Sequence, residues 1–542
     1  MSHAEQLETS VVIIGGGATG IGTLRDLSMR GIPAILCEQG GLAHGTSSRF
    51  HGLLHSGGRY AVNDTDSAQE CIEENQILRR IGRQCVEVTE GFFVLLPEDD
   101  PTYVDPWLEA CANAHIDTKE IQKSEACALE PELTKDLVRA FIVPDSCVDG
   151  FRLVLHNAMS AKRYGGQVLQ YHQVQKITQD QGHVASVYVL DRITKTTKEI
   201  HCQCVVNAAG SWSGHIASLA GIDVPVSPDR GTLLVFNHRF TSRVINRLHP
   251  GSDGDIFVPH GSITILGTTS VATENPADTT PTMQEILKLL DLGTPMFPKL
   301  PSYRILRAFA GTRPLYTPSG AHGRAASRNF QVFDHAAEGL KGFFSIFGGK
   351  LTTYRLMAER VSDAVATYLN VNAKCRTHLE PMIAPSDPTT LSAHVRYFPF
   401  PDISLMADRL GDDLPCVLHR AKHMPQGHNR LLCECEMVSL AEIAEVAASP
   451  NTHSLNDIRL RTRIGMGTCQ GTFCALRTLN ALFEQDLMPI QNPLDELKKF
   501  LQERWKGLRL TLWGTQAQEI TLTRDIYAGV FGLDGVNNAS NM

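Results

Sequence analysis

The chain has 542 residues, too many for one hydrophobic core at about 100 to 200 residues per domain, so several domains are expected. Its 42% hydrophobic and 20% charged residues exclude a disordered or fibrous chain. A formal net charge of −8 without a long Lys/Arg block argues against nucleic acid as a partner, and no run approaches the roughly 20 apolar residues that cross a bilayer.

Ser10 to Ile14 is a short β-branched run ending in Gly15, Gly16 and Gly17, and it leads into a helical stretch, Ile21 to Met29. A second apolar run, Ile32 to Cys37, ends in Glu38, so this opening predicts a βαβ unit of a doubly wound sheet with a right-handed crossover. From about Phe92 to Leu340 helical and strand-like stretches alternate without repeats, with a helical, Pro-punctuated segment from Asp278 to Leu300. Val205 to Asn207, running into Ala208, Ala209 and Gly210, and Phe343 to Phe347, running into Gly348 and Gly349, are expected to return to the first sheet. The expected fold is α/β, with a Rossmann-like nucleotide domain interleaved with an α+β substrate domain over 1–375. A linker over 376–430, a small Cys-bearing domain over 431–485 and a helical tail over 486–542 follow. In the tail, Leu494, Leu497, Leu501 and Trp505 share one helical face that must dock on something.

Gly15, Gly17 and Gly20 form GxGxxG directly after a strand, where missing side chains let backbone amides and a helix N-terminus reach a pyrophosphate. Glu38, 18 residues after Gly20, is placed to accept hydrogen bonds from an adenosine ribose. NAD and FAD share the portion this motif holds. The polar stretch Thr46, Ser47, Ser48 and Arg49, and the Gly-rich run His51 to Tyr60 that includes Gly52 and Leu53, favour FAD. Gly348 and Gly349 before Leu351 and Thr352 offer a second helix N-terminus for negative charge on a reduced flavin.

Cys433 and Cys435 form CxC, and Cys469 and Cys474 form CxxxxC, with 33 residues between the pairs and glycines at 465, 467 and 471. Four thiolates with nearby backbone amides suit a [2Fe-2S] cluster; a four-cysteine zinc site is the alternative, although its usual knuckle is closer to CxxC. Cys202 and Cys204 read as packing residues on a strand, and no export signal calls for disulfides among the fourteen cysteines. Cytoplasmic placement is expected.

Oxidising an alcohol with a flavin needs a base for the hydroxyl proton, and His55, beside Ser56, Gly57, Gly58 and Arg59, is preferred over His51. Arg59, Arg313, Arg328 and Lys350 are candidate donors to a phosphate or carboxylate.

IIGGGATG from Ile13, HGLLHSGGRYAV from His51, GGKLTTYRLMAE from Gly348, CECE from Cys433, RIGMGTCQG from Arg463 and LQERWKG from Leu501 resemble the A subunits of bacterial anaerobic glycerol-3-phosphate dehydrogenases over nearly the whole chain. The resemblance implies an FAD domain with an added bacterioferritin-associated-ferredoxin-like [2Fe-2S] domain, oxidising sn-glycerol 3-phosphate to dihydroxyacetone phosphate with quinone as eventual acceptor. It also implies a second catalytic-complex subunit, a membrane-anchoring iron-sulfur subunit, and peripheral attachment at the cytoplasmic face of the inner membrane. Arg59 in GGRY, Arg313 in GTRPL, Arg328 in SRNF and Lys350 in GGKLTTYR would be its substrate-side donors. One departure is Phe50, where the family carries Asn before HGLLHSG. Related flavoenzymes acting on a 2-hydroxy acid or an opine share everything but the pocket, and a non-catalytic electron-transfer subunit is the rival of another class.

Overall fold

In the computed structural model, which describes residues 5–316, 329–488 and 493–532, the opening strand lies inside a six-stranded sheet. The order is Gln167–Leu169, Ala34–Cys37, Val11–Ile14, Cys204–Asn207, Phe343–Gly348 and Phe330–Asp334; all are parallel except the last. Both stretches expected to rejoin this sheet do so.

Side chains alternate along a strand, so Val11 and Ile13 pack under helices Ala18–Met29, Gly150–Arg163 and Tyr354–Tyr368. Val12 and Ile14 face the opposite layer, a four-stranded sheet of Glu5–Glu8, Thr197–His201, His183–Asp191 and His172–Asp180. Burial on both faces explains why the Val11–Ile14 run is apolar without alternation.

The interleaved part, expected to be the substrate domain, is a nine-stranded mixed sheet. Its long antiparallel pair, Val226–Phe236 and Ile305–Tyr316, sets Asp229 directly across from Arg313 and Gly231 across from Gly311. The segment expected to be helical from Asp278 becomes helix only at Met283–Gly293, where Thr282 and Glu285 form a reciprocal cap.

The stretch 376–430, expected as a linker, contains helices Pro388–His394, Ser404–Leu410 and Leu414–His423. Met406, Ala407, Leu410, Leu414, Val417, Leu418 and Ala421 recur at helical spacing and share a core with Phe400 and Ala441. Prolines at 399, 401 and 415 break that pattern in the sequence without preventing the helices. Further on, Leu497, Phe500, Leu501 and Trp505 of helix Pro493–Trp505 join a core with Leu432, Cys433, Ile458 and Cys474. The tail helix therefore docks on the Cys-bearing segment of its own chain.

That C-terminal region is tied to the rest by specific contacts. Arg463 bonds Asp149 at 2.7 Å and Glu436 at 2.9 Å, and Asp149 also caps helix Gly150–Arg163 by accepting from the Phe151 and Arg152 N–H groups. Gly507, at φ +72°, lies so close to the substrate sheet that a Cβ would sit 2.1 Å from the Ala308 carbonyl oxygen. Gly507→Ala is therefore expected to destabilise the protein by about 2 kcal/mol through backbone strain and overpacking. Urea unfolding of the variant checks this; an unchanged midpoint would show that the joint does not need the close approach.

Candidate active site

The glycine fingerprint closes because its residues lack side chains. A Cβ on Gly20 would lie 2.0 Å from the Gly15 carbonyl oxygen, and one on Gly15, at φ +113°, would lie 2.6 Å from the Ala208 carbonyl oxygen. The Ala18 N–H donates to the Ser47 hydroxyl at 2.9 Å, which brings the Thr46–Ser48 turn over the helix N-terminus. Glu38 accepts from the Gly16 and Gly40 N–H groups at 2.7 and 2.9 Å. Burial pushes its carboxyl above the usual range, opposed by those two amides.

A cavity of about 480 Å³ opens from this turn. It brings together Gly15, Gly17, Glu38, Thr46, Ser47, His51, Leu53 and His55 with Gly210, Arg313, Gly348, Gly349, Lys350 and Leu351. An adjoining cavity of about 470 Å³ is lined by Arg59, Asp255, Thr268 and Gly231 and shares Thr46, His51, His55, Tyr60 and Arg313 with the first. Gly20, Ser48, Gly52 and Thr352 line neither: Gly20 lies beneath the turn, Ser48 donates to the Gly45 carbonyl, Gly52 makes a turn at φ +87°, and Thr352 Oγ1 accepts from the His55 N–H at 3.1 Å. Arg328 lies outside the described residues.

The loop His51 to Tyr60 is held from behind. Asn75 Nδ2 donates to the Leu54 and His55 carbonyls, Asp145 accepts from the Ser56 N–H at 2.6 Å, and Trp107 Nε1 donates to the Gly58 carbonyl at 2.8 Å. His55 stands between His51 and Tyr60, with ring centroids 5.7 and 5.4 Å away. The Leu53 N–H donates to His51 Nδ1 at 3.0 Å, so the neutral His51 ring carries its proton on Nε2. Burial, reinforced by the Arg59 and Arg313 charges, pushes the His51 pKa down to about 3.

The cations are paired before any ligand arrives. Arg59 bonds Asp255 at 2.8 Å, and the pairing raises the guanidinium pKa despite a burial effect in the other direction. Arg313 bonds Asp229, Thr268 Oγ1 and the Thr269 carbonyl. Gly231 makes room for it, since a Cβ there would lie 2.2 Å from Arg313 Nη2. Lys350 Nζ sits 4.5 Å from the centroid of the Tyr60 ring. Sequence reading missed Asp229, Asp255, Thr268 and Gly231; only cross-strand register and tertiary contact single them out. It also missed Trp212 and the His172 to Val174 wall of the larger cavity.

Residues 10–355 match the family model described as FAD dependent oxidoreductase. The A subunit of the anaerobic glycerol-3-phosphate dehydrogenase of Escherichia coli K12 is 40% identical over 539 residues, covering 98% of this chain and 99% of the relative. The A1 subunit of the corresponding Haloferax volcanii enzyme is 42% identical over 542 residues, covering 97% and 91%. The chain belongs to this family of FAD-dependent oxidoreductases. Among solved structures, the glycerol-3-phosphate dehydrogenase of Bacillus halodurans, complexed with FAD, shares the fold at TM-score 0.68 and 22% identity, covering 94% of this chain and 96% of that one.

In the C-terminal part of this family member, the thiols of Cys433, Cys435, Cys469 and Cys474 interact in a ring, Cys433 with Cys435 and Cys474, and Cys469 with Cys435 and Cys474. Among the described residues no group of three His, Cys, Asp or Glu is drawn up in metal-binding geometry. The surroundings nonetheless fit a four-thiolate group: a Cβ on Gly467 would lie 2.2 Å from the Cys435 Cβ, and Gly465 and Gly471 turn the backbone at positive φ. Cys202 and Cys204 are buried on and beside the Cys204–Asn207 strand, and burial pushes the Cys202 thiol up to about 12.

The low His51 pKa has a stability consequence. Unfolding restores an ordinary value of 6.5, so the stability that a neutral His51 contributes is complete above about pH 6.5 and is lost as pH falls from there to about 3. His51→Gln is expected to flatten that part of the stability profile relative to the wild type. Denaturation midpoints across pH 4 to 7 check it, and superimposable slopes would refute it.

Proposed function

We propose that this chain is the catalytic subunit that oxidises sn-glycerol 3-phosphate to dihydroxyacetone phosphate with FAD, electrons then passing through iron-sulfur centres to quinone. The observation that carries this reading is the convergence of Arg59, Arg313 and Lys350 with His51 and His55 where the two cavities meet. A phosphate dianion needs more than one cation, and guanidinium groups offer paired donors at fixed geometry.

In this reading the Gly15 to Ala18 turn, Ser47 and Glu38 would hold the dinucleotide, and Gly348 to Leu351 would line its flavin end. FAD, when bound, supplies the hydride acceptor. Arg59 and Arg313 bind the phosphoryl group, with Lys350 as a third cation. His51 donates from Nε2–H to a substrate oxygen, and its Nδ1 is already taken by Leu53. His55 receives the hydroxyl proton as the carbon gives up its hydride, so the two-electron oxidation balances.

The four cysteines would hold the [2Fe-2S] cluster, whose chemistry when bound is one-electron transfer. Phe473, 60% exposed, directly before Cys474, and Met437, 36% exposed and two residues after Cys435, suit a partner's apolar surface there. Among the described residues no helix is long and apolar enough to cross a membrane. Attachment at the cytoplasmic face of the inner membrane would then depend on a membrane-anchoring iron-sulfur subunit within a complex that also holds a second catalytic-complex subunit; the relatives' names, which make each of them one lettered subunit of an enzyme, support such a complex.

Anaerobic addition of sn-glycerol 3-phosphate to the purified holoprotein should bleach the flavin bands. Bleaching by lactate or an opine instead would transfer the reading to a carboxylate or amine substrate. Gly231→Ala should lower kcat/KM for sn-glycerol 3-phosphate at least about tenfold, roughly 1.4 kcal/mol, while flavin content stays the same; steady-state kinetics with unchanged values would remove Arg313 from the phosphate site. Cys469→Ser should lose cluster absorption and keep flavin absorption, and a variant that keeps both would move the cluster elsewhere.

A further inference from the structure

A third cavity, about 880 Å³, lies where the flavin domain, the substrate sheet and the C-terminal region meet. Its wall carries Arg49, Arg307, Arg459, Arg504 and Lys506, with Glu503 in the field of Arg459 and Lys506, and Asp149 and Asp457 as the cavity's other acids. They come from separate parts of the fold: Arg49 from the flavin-side turn, Arg307 from strand Ile305–Tyr316, Arg459 from helix Leu455–Thr462, and Arg504 and Lys506 from the end of helix Pro493–Trp505 and just beyond it.

Five cations around one carboxylate is a costly arrangement. Among the described residues the hydrogen-bond partners of these cations are neutral, Arg504 donating to the Gly465 carbonyl and Gln470 Oε1, Arg459 to Asn456 Oδ1 and Lys506 to Thr279 Oγ1, while Arg307 Nε is a buried donor with no acceptor. The cavity's remaining acids are already engaged, Asp149 by Arg463 and Asp457 by Tyr171 and Ser454. Burial pushes the Arg307 pKa down to about 10; Glu503 opposes that shift, and Arg459 and Arg49 add to it. Arg459 and Arg504 are only 8% and 5% exposed, so water does not screen their charges freely. The fold clamps this geometry, because the Ala308 N–H donates to the Gly507 carbonyl at 3.3 Å and joins the Arg307 strand to the segment bearing Lys506.

We propose that this cavity is a second anion site, which binds a phosphate-bearing small molecule across the joint between the flavin domain and the Cys-bearing region. The volume lies within the range of small-molecule pockets, and the Trp212 and Phe309 rings in its wall suit an organic group attached to the phosphate. Because the ligand would touch all three segments, occupancy would hold the C-terminal region against the flavin domain. The proposal does not rest on the identity of the oxidised substrate.

Calorimetric titration of the holoprotein with inorganic pyrophosphate, and in parallel with ADP, tests it. The expected result is saturable binding of one pyrophosphate per chain that Arg313→Met leaves in place and that Arg307→Met or Arg459→Met weakens at least tenfold, with flavin content preserved. Tighter binding of ADP than of pyrophosphate would identify an aromatic phosphoester as the ligand; equal binding would identify the phosphates alone. If either arginine variant loses flavin, Lys506→Met carries the comparison, and the same weakening is expected. Absence of saturable binding by the wild type, or binding lost in Arg313→Met and retained in the cavity variants, would overturn the proposal.

Discussion

Arg59 and Arg313 stand in the wall of a cavity that water must largely leave when ligands bind, and each is already matched to a carboxylate that is itself almost fully buried. Desolvating a guanidinium costs several kcal/mol unless an opposite charge and hydrogen bonds compensate. Asp255 and Asp229 compensate while leaving other N–H groups of the two arginines for a ligand. Much of the substrate part can be read as serving this pairing. The antiparallel register sets Asp229 opposite Arg313, Gly231 clears space for the guanidinium, and Thr268 and Thr269 fix its far edge. Arg59 keeps its place because Asp145, Asn75 and Trp107 hold the backbone of its loop.

The same solution recurs at the joint between domains. Arg463 is buried between Asp149 and Glu436, and together the two acids raise its pKa against the effect of burial. Asp149 caps the helix beginning at Gly150, where a Cβ would lie 2.4 Å from the Ser47 carbonyl oxygen and 2.7 Å from the Phe50 ring. Glu436 follows Cys435 in sequence. A single guanidinium thus spans from the candidate cluster ligands to the helix that backs the flavin-side turn, and Phe50 packs on that helix start.

What the sequence discloses depends on how local each signal is. Gly15, Gly17, Gly20 and Glu38 act within one βαβ unit, so spacing alone locates the turn, and the later strand runs are apolar enough to be assigned to the same sheet. Asp229 and Asp255 lie 84 and 196 positions from the arginines they serve, and no spacing rule connects them. The stretch 376–430 reads as a linker because prolines mask a helical period that only packing against Ala441 makes plain. An amphipathic face at Leu497, Leu501 and Trp505 announces docking without naming its partner; the shared core with Cys433 and Cys474 supplies it. The large cationic cavity is invisible for the same reason, since Arg49 and Arg504 are far apart in sequence.

In the proposed reaction the carboxylate-paired Arg59 and Arg313 clamp the phosphate. The most direct measurement is the ratio of kcat/KM for sn-glycerol 3-phosphate to that for glycerol, in the wild type and in Arg313→Met. A buried, paired guanidinium that binds the phosphoryl group makes the wild-type ratio large, and its loss should shrink that ratio by about 100-fold or more, the equivalent of roughly 3 kcal/mol. A ratio that Arg313→Met leaves unchanged would contradict the account, because the phosphate would then be recognised elsewhere.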